Sequence, residues 1–261
     1  YVGHGGGMVG YRTQILADMD DGLGVVVLIN KHPAEPEEIA CFALRLLRAA
    51  LHNRELPELP PVTDPTQVEN ATDYAGTYRA CPELALSEVE GRSRRAGSKT
   101  LTFVAEGERL ILCHGDRRIV LEQCGPDRFY VNHPDFALFL LRFGRTEGQV
   151  VEAFHGPDWY VNEQYGGPTS FDYPQEWDAY PGHYRSHNPW LSNFRVVLRK
   201  GALALIAPSG EEEPLVPLGD GVFRVREEEQ CPERIRFDTI LNGQAVHANL
   251  SCGDYYRTFT P

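Results

Sequence analysis

The run GERLILCHGDRRIVLEQCGPDRFYV, residues 107–131, returns at residues 201–225 as GALALIAPSGEEEPLVPLGDGVFRV. The two align position for position in their apolar pattern, and the flanking segments repeat with them. Tyr74-Ala75-Gly76-Thr77-Tyr78 comes back as Tyr180-Pro181-Gly182-His183-Tyr184, Gly148-Gln149 as Gly243-Gln244, and Asp158-Trp159-Tyr160 as Asp254-Tyr255-Tyr256. Each copy is roughly 80 to 95 residues, and a duplicated supersecondary unit is the economical reading.

Inside the first copy, strand-sized apolar segments follow one another: LTFVAE, RLILCH, RIVLEQ, RFYVNH, ALFLLRF, QVVEAFH and WYVNEQ. Turn signals such as Glu106-Gly107, Gly115-Asp116 and Gly125-Pro126-Asp127 separate them. That rhythm predicts antiparallel strands closing into a barrel or a sandwich. The predicted fold class is mainly β, with two small antiparallel barrels in tandem. A barrel of about eight strands has an interior that side chains can fill, so a packed core is expected before a deep ligand cup.

Ahead of the repeats, the proline-rich stretch ELPELPPVTDPT (residues 55–66) reads as a linker. Before it, Tyr11 to Asp18 and Leu23 to Asn30 read as two strands of a hairpin across the acidic turn Met19-Asp20-Asp21-Gly22. A helix is predicted after Pro36. Glu37 and Glu38 suit its positive end, Arg45 and Arg48 its negative end, and Ile39, Phe42, Ala43, Leu46, Leu47, Ala50 and Leu51 recur at helical spacing. A hairpin and one helix cannot bury a core alone, so this segment is expected to be sticky unless a neighbour covers it. The predicted organisation is 1–54 for the hairpin and helix, 55–72 linker, 73–167 first barrel, 168–179 second linker and 180–261 second barrel.

Composition narrows the partners. A net charge of −12 over 261 residues argues against a nucleic-acid partner, because phosphate binding needs a cationic footprint. The strongest apolar run, Gly24 to Asn30, is strand-sized, far short of the ~20 residues of a membrane helix, so no membrane span is expected. The first residues carry no basic and apolar leader segments, and Tyr1 in place of Met suggests a natural start upstream. The acidic runs Glu211–Glu213 and Glu227–Glu229 read as solvated turns. Six cysteines without a C-x-x-C pair read as buried free thiols, although Cys113 and Cys124 could face one another on neighbouring strands. Trp159, Trp177 and Trp190 read as packing residues, and His183 with His187 lacks the helix that a paired metal site needs.

The opening YVGHGGGMVGY, Tyr1 to Tyr11, holds five glycines and one histidine. A phosphate loop needs a Gly-Lys-Ser/Thr ending or a G-x-G-x-x-G opening a helix after a strand; here the glycines precede a strand, so both nucleotide readings fail. Residues 3–52 as a whole resemble the C-terminal end of the serine hydrolase domain shared by class C β-lactamases, penicillin-binding DD-peptidases, D-aminopeptidases and related esterases. The order of parts carries the resemblance: a His-x-Gly box, a Gly-rich bend, a strand, an acidic turn, LGVVVLINK, and a proline turn into a terminal amphipathic helix. The resemblance implies that His4-Gly5-Gly6 is the third catalytic box, on the sheet-edge strand walling the active site. It implies Gly7 as a backbone oxyanion donor and His4 as a hydrogen-bonding group facing substrate. Gly6 is the glycine of the box, where substrate backbone approaches closely. No cofactor is implied. The appended repeats resemble the lipocalin-like C-terminal domains of some of these enzymes, through Tyr-x-Gly-x-Tyr after a proline-rich linker.

The family's nucleophile lies in Ser-x-x-Lys, and no serine of this chain has lysine three places on. Tyr130-Val131-Asn132 and Tyr160-Val161-Asn162 spell the Tyr-x-Asn box, but they follow the His box instead of preceding it and read as strand residues. The expectation is therefore the C-terminal part of a peptidase or esterase, inactive alone, whose partners are a missing N-terminal catalytic portion and a small amide or ester substrate. Assembly with a second copy stays open. The competing reading is a non-catalytic tandem barrel module that binds a small ligand or a partner protein. A third reading is a separate chain that assembles with a catalytic partner.

Overall fold

The computed structural model describes residues 1–8, 10–30, 35–61, 63–81 and 100–258. Two compact units make up the chain. One comprises Tyr1–Thr63 with the loop His187–Ser192, and the other Asp64–Ser186 with Asn193–Pro261.

In the first unit, β1 (Val2–Met8), β2 (Tyr11–Asp18) and β3 (Leu23–Ile29) form an antiparallel sheet in chain order. Helix α1 (Pro36–Leu51) packs on β2 and β3. Proline at its first position lacks the N–H that would go unpaired there, and Glu37 and Glu38 lie in the first turn. The turn after β2 is pinned by Asp18, whose Oδ1 accepts from the backbone N–H groups of Asp20 at 3.0 Å and Asp21 at 3.2 Å. Gly22 supplies the positive φ of +64°. From the end of α1, Arg48 Nε donates to Asp21 Oδ2 at 2.8 Å, and His52 Nε2 lies 3.0 Å from Asp21 Oδ1. These bonds to His52 and Arg48 hold the Asp21 carboxyl below the usual carboxylate range. Asp18 Oδ2 is 3.1 Å from Arg48 Nε but receives no well-aligned hydrogen bond, because that N–H points to Asp21.

The helix stripe needs correction. Pro36, Ala40, Leu44 and Ala49 are the buried residues, whereas Ile39, Leu47 and Leu51 are exposed. Apolar residues run around more than one face of α1, and the sequence pattern alone does not say which face meets the sheet.

In the second unit, β4 (Gly76–Ala80), β5 (Thr100–Glu106), β6 (Arg109–His114), β7 (Arg117–Gly125), β8 (Arg128–Val131), β9 (Leu141–Thr146), β10 (Gln149–His155) and β11 (Asp158–Val161) form a closed barrel, β11 pairing back onto β4. The second barrel repeats the plan. It runs through β12 (Gly182–Arg185), β13 (Asn193–Arg199), β14 (Ala202–Ile206), β15 (Glu212–Gly219), β16 (Val222–Val225), β17 (Arg234–Leu241), β18 (Gln244–Leu250) and β19 (Gly253–Arg257), which closes on β12. Both are eight-stranded up-and-down barrels.

The duplication extends to irregular features. A β-bulge interrupts the first barrel between Gln123 and Gly125 and the second between Pro217 and Gly219. Phe143 N–H donates to the Asp127 carbonyl at 2.9 Å, and Phe237 N–H to the Gly221 carbonyl at 3.0 Å. Asp127 and Gly221 both have positive φ. Tyr74 packs edge-on to Phe129 as Tyr180 does to Phe223, with ring centroids 5.1 and 5.6 Å apart. These rings, with Tyr78, Phe103 and Phe143 in the first barrel and Tyr184, Phe194 and Phe237 in the second, are buried or nearly so. They fill the interiors, as the diameter of an eight-stranded barrel allows.

Three local expectations change. ALFLLRF, residues 137–143, is not one strand: its first four residues are turn and loop following the 3-10 turn Pro134–Phe136, and β9 begins only at Leu141. Pro134 fixes the turn, and Phe136 rather than Leu138 is the buried anchor. All six cysteines are free, but only Cys81 is fully buried, and Cys113 lies opposite Thr102 and Arg118 rather than Cys124. Glu212 is not in a solvated turn. It sits in β15, paired to Arg199 and, at 2.6 Å, to Arg142 of the other barrel. Arg199 also donates to the Gly156 carbonyl at 2.7 Å and covers the Phe154 ring. Among the described residues, no helix is long and apolar enough to cross a membrane.

Candidate functional site

His4, Gly6 and Gly7 lie on β1, an edge strand of the sheet β1-β2-β3. The whole of Val2–Met8 is strand, so Gly3, Gly5, Gly6 and Gly7 lie within it, and the change of direction comes after Met8, where Gly10 has φ +81°. All residues of β1 are exposed.

The register fixes what each residue presents. Met8 pairs with Tyr11 across a connection of two residues, which makes this pair a hydrogen-bonded one. Antiparallel ladders alternate. Gly6 opposite Thr13 and His4 opposite Ile15 are therefore also hydrogen-bonded pairs, and Gly3, Gly5 and Gly7 are not. The N–H and C=O of these three glycines point away from β2, toward the open edge. Side chains alternate the other way. His4 shares a face with Ile15 and Val26, its cross-strand neighbours, and these are 51% and 63% exposed.

Glycine is needed at one of these positions by space. A Cβ on Gly3 would lie 2.8 Å from the Ile15 carbonyl oxygen and from Leu16 Cδ1, whereas one on Gly5 would meet at 2.8 Å only the end of the Gln14 side chain, which can swing aside. A Cβ on Gly7 would meet nothing within 4 Å among the described residues, so the side-chain face of the strand is open at that position. Among the described residues no strand pairs with the outer side of β1, which leaves a row of backbone donors and acceptors beside one imidazole.

The chain's two Tyr-x-Asn sequences are elsewhere. Tyr130 is on the outside of β8, and Tyr160 is buried in β11, while Asn162 donates to the Val150 carbonyl at 2.9 Å. Both belong to the first barrel and its packing. Trp159 is buried and donates to Glu152 at 2.8 Å, Trp177 packs on Phe223, and Trp190 is exposed. His183 lies 3.1 Å from Asn193 Oδ1. A cleft of about 360 Å³ is lined by Asp127, Arg128, Arg142 and Glu211–Glu213 where the barrels meet.

No protein-family model matches the chain, and no curated protein matches it.

A second group of polar residues has no counterpart in the sequence reading. His114, at the end of β6, lies 2.8 Å through Nε2 from Asp135 Oδ2, and His133 Nδ1 is 3.8 Å from the same oxygen. No short motif announces it, because nineteen positions separate the two histidines in the sequence. β6 and β8 run in the same direction with β7 between them, so their C-terminal ends reach one rim of the barrel.

Proposed function

We propose that this chain supplies the C-terminal wall of a β-lactamase- and penicillin-binding-protein-related serine hydrolase, a peptidase or esterase for a small amide or ester. The observation that carries the reading is the open edge of β1, where the Gly7 N–H points outward beside an exposed His4. In such an enzyme a serine Oγ attacks the carbonyl carbon, and the carbonyl oxygen becomes an oxyanion. A backbone N–H aimed at that oxygen lowers the barrier by about 3–4 kcal/mol. The tetrahedral species then expels the amine or alcohol, and water hydrolyses the acyl-enzyme. Gly7 takes the oxyanion-donor role, Gly6 lets substrate approach the strand, and His4 offers a hydrogen bond on the adjoining face.

Two bare apolar surfaces support a covering neighbour for this unit. Val26 and Leu28 are 63% and 75% exposed on one face of the sheet, and Ile39, Leu47 and Leu51 are exposed on α1. Contiguous exposed apolar surface of this kind marks a contact. The absence of Ser-x-x-Lys assigns the nucleophile to other polypeptide. With their interiors filled, the barrels act through their outer surfaces, as accessory domains that shape access or assembly.

The test uses both this chain and the complete gene product. The chain alone is expected to give no turnover of p-nitrophenyl esters or D-amino-acid anilides and no labelling by a fluorophosphonate probe. The complete product is expected to label at a serine outside residues 1–261. In it, Gly7→Pro removes the outward N–H without breaking a ladder bond, and kcat is expected to fall about 10²–10³-fold. Turnover by this chain alone, or an unchanged kcat in Gly7→Pro, overturns the reading.

A further inference from the structure

We infer that His114, His133 and Asp135 form a binding site for one divalent transition-metal ion, zinc foremost, on the rim of the first barrel. Each offers one ligand atom, and the three atoms lie within 4.8 Å of one another. Among the described residues, no other group of three His, Cys, Asp or Glu side chains comes together in this way. Two imidazoles and one carboxylate are the donor set of zinc and its neighbours, not of calcium or magnesium. A tetrahedral ion with bonds of about 2.0–2.2 Å holds its ligand atoms roughly 3.3–3.5 Å apart. The 2.8 Å from His114 Nε2 and the 3.8 Å from His133 Nδ1 to Asp135 Oδ2 straddle that value. His133 Nδ1 accepts the Asp135 N–H at 3.2 Å, a bond it exchanges for the ion as the side chains rotate.

The surroundings hold the ligands in place. His114 and His133 pack edge-on to one another with ring centroids 4.8 Å apart, and His114 also packs on the buried Phe136 at 5.5 Å. Pro134 stiffens the chain between His133 and Asp135. Beneath them, Phe136 rests on His155 at 4.8 Å, which gives the site an aromatic floor. The two histidine side chains are 22% and 14% exposed and Asp135 64%. One side is thus open to solvent, and a three-ligand site of this kind keeps a position for water or a small anion.

The fold itself does not require the cluster. The second barrel preserves the core at matching positions, from Phe129 and Phe223 to Phe143 and Phe237. In the same register it carries Pro208, Glu227 and Glu229 where the first has His114, His133 and Asp135. The polar trio belongs to one copy of the duplication only, as expected for an added task and not for a structural need.

The experiment titrates the purified chain, freed of tags and stripped with chelator, with ZnCl2 by calorimetry and with CoCl2 by visible absorption. Expected are one zinc per chain and intense cobalt d–d bands of a low-coordinate site. Asp135→Ala, at an exposed position that does not endanger folding, and His114→Ala are each expected to weaken zinc binding more than about tenfold, since even outer-sphere partners are worth that much. His247→Ala, which removes an imidazole held between Asp238 and Asp254, is expected to leave it unchanged. Absence of saturable binding in the unaltered chain, or affinity in Asp135→Ala and His114→Ala as high as in the unaltered chain, overturns the assignment.

Discussion

The Tyr184 hydroxyl donates to the carbonyl of Tyr180 at 2.7 Å, and the Tyr78 hydroxyl donates to that of Tyr74 at 3.1 Å. Each bond ties the first strand of a barrel to the chain that leads into it, four residues back, and each lies in the buried core. Tyr184 also reaches the Ala245 carbonyl at 3.3 Å. Replacing the hydroxyl by hydrogen leaves buried carbonyls short of a donor, at a cost of about 1–3 kcal/mol. Tyr184→Phe is expected to lose more stability than Tyr78→Phe, because the single O–H of Tyr184 makes the shorter bond, 2.7 Å against 3.1 Å. Urea unfolding of both variants checks the order.

Burial makes the same phenols sensitive to alkali. Desolvation pushes Tyr78 from 10.0 up to about 12. The unfolded chain therefore releases this proton near 10 while the folded chain holds it, so the unfolded state binds fewer protons between the two values. Stability is whole below pH 10 and declines as pH rises toward 12. Tyr78→Phe removes this contribution, and its stability is expected to fall less steeply above pH 10 than that of the unaltered chain. Parallel slopes in denaturant titrations from pH 8 to pH 11 sink the assignment.

Glu212 and Glu213 are neighbours with opposite environments. Glu212 is 12% exposed and sits between Arg199 and Arg142, while Glu213 pairs at 3.1 Å with Arg226, itself 52% exposed. Desolvation pushes the Arg199 pKa down despite its carboxylate partner, which shows how much its charge depends on that partner. Glu212→Ala leaves a buried guanidinium short of its counter-charge and is expected to cost about 3–5 kcal/mol. Glu213→Ala is expected to cost less than about 1 kcal/mol. Thermal unfolding of both variants, compared at the same ionic strength, measures the difference.

The parts of the fold that showed in the sequence are those set by local periodicity and by repetition. LTFVAE, RLILCH and RFYVNH alternate or cluster in the way a half-buried strand demands, and the copy at residues 201–225 doubles the signal. Glu212 was misread because a run of three glutamates carries no information about the arginines it meets across a barrel junction. ALFLLRF was misread because an apolar run looks alike whether all of it is strand or, as here, its first four residues are turn and loop that follow the buried ring of Phe136. The edge position of His4 came from the order of motifs, since a strand rich in glycine has no hydrophobic pattern. His114 and Asp135 are brought together only by barrel closure, a relationship between distant residues that no window along the chain contains.

Gly3 and Gly7 separate the structural needs of β1 from its chemical ones. A methyl group at Gly3 meets a backbone carbonyl at 2.8 Å, and a carbonyl of the neighbouring strand cannot rotate away as a side chain can. Gly3→Ala is expected to destabilise the first unit by about 1–3 kcal/mol, the usual cost of forcing atoms into a closed space. Gly7→Ala meets nothing within 4 Å and is expected to change stability by less than about 0.5 kcal/mol. It also keeps the outward N–H, so in the complete gene product it should retain turnover that Gly7→Pro loses. Hydrogen exchange of the β1 and β2 amides reports the first comparison, and ester hydrolysis the second. If alanine and proline at Gly7 depress kcat equally, the side of the strand and not its N–H is what the substrate meets.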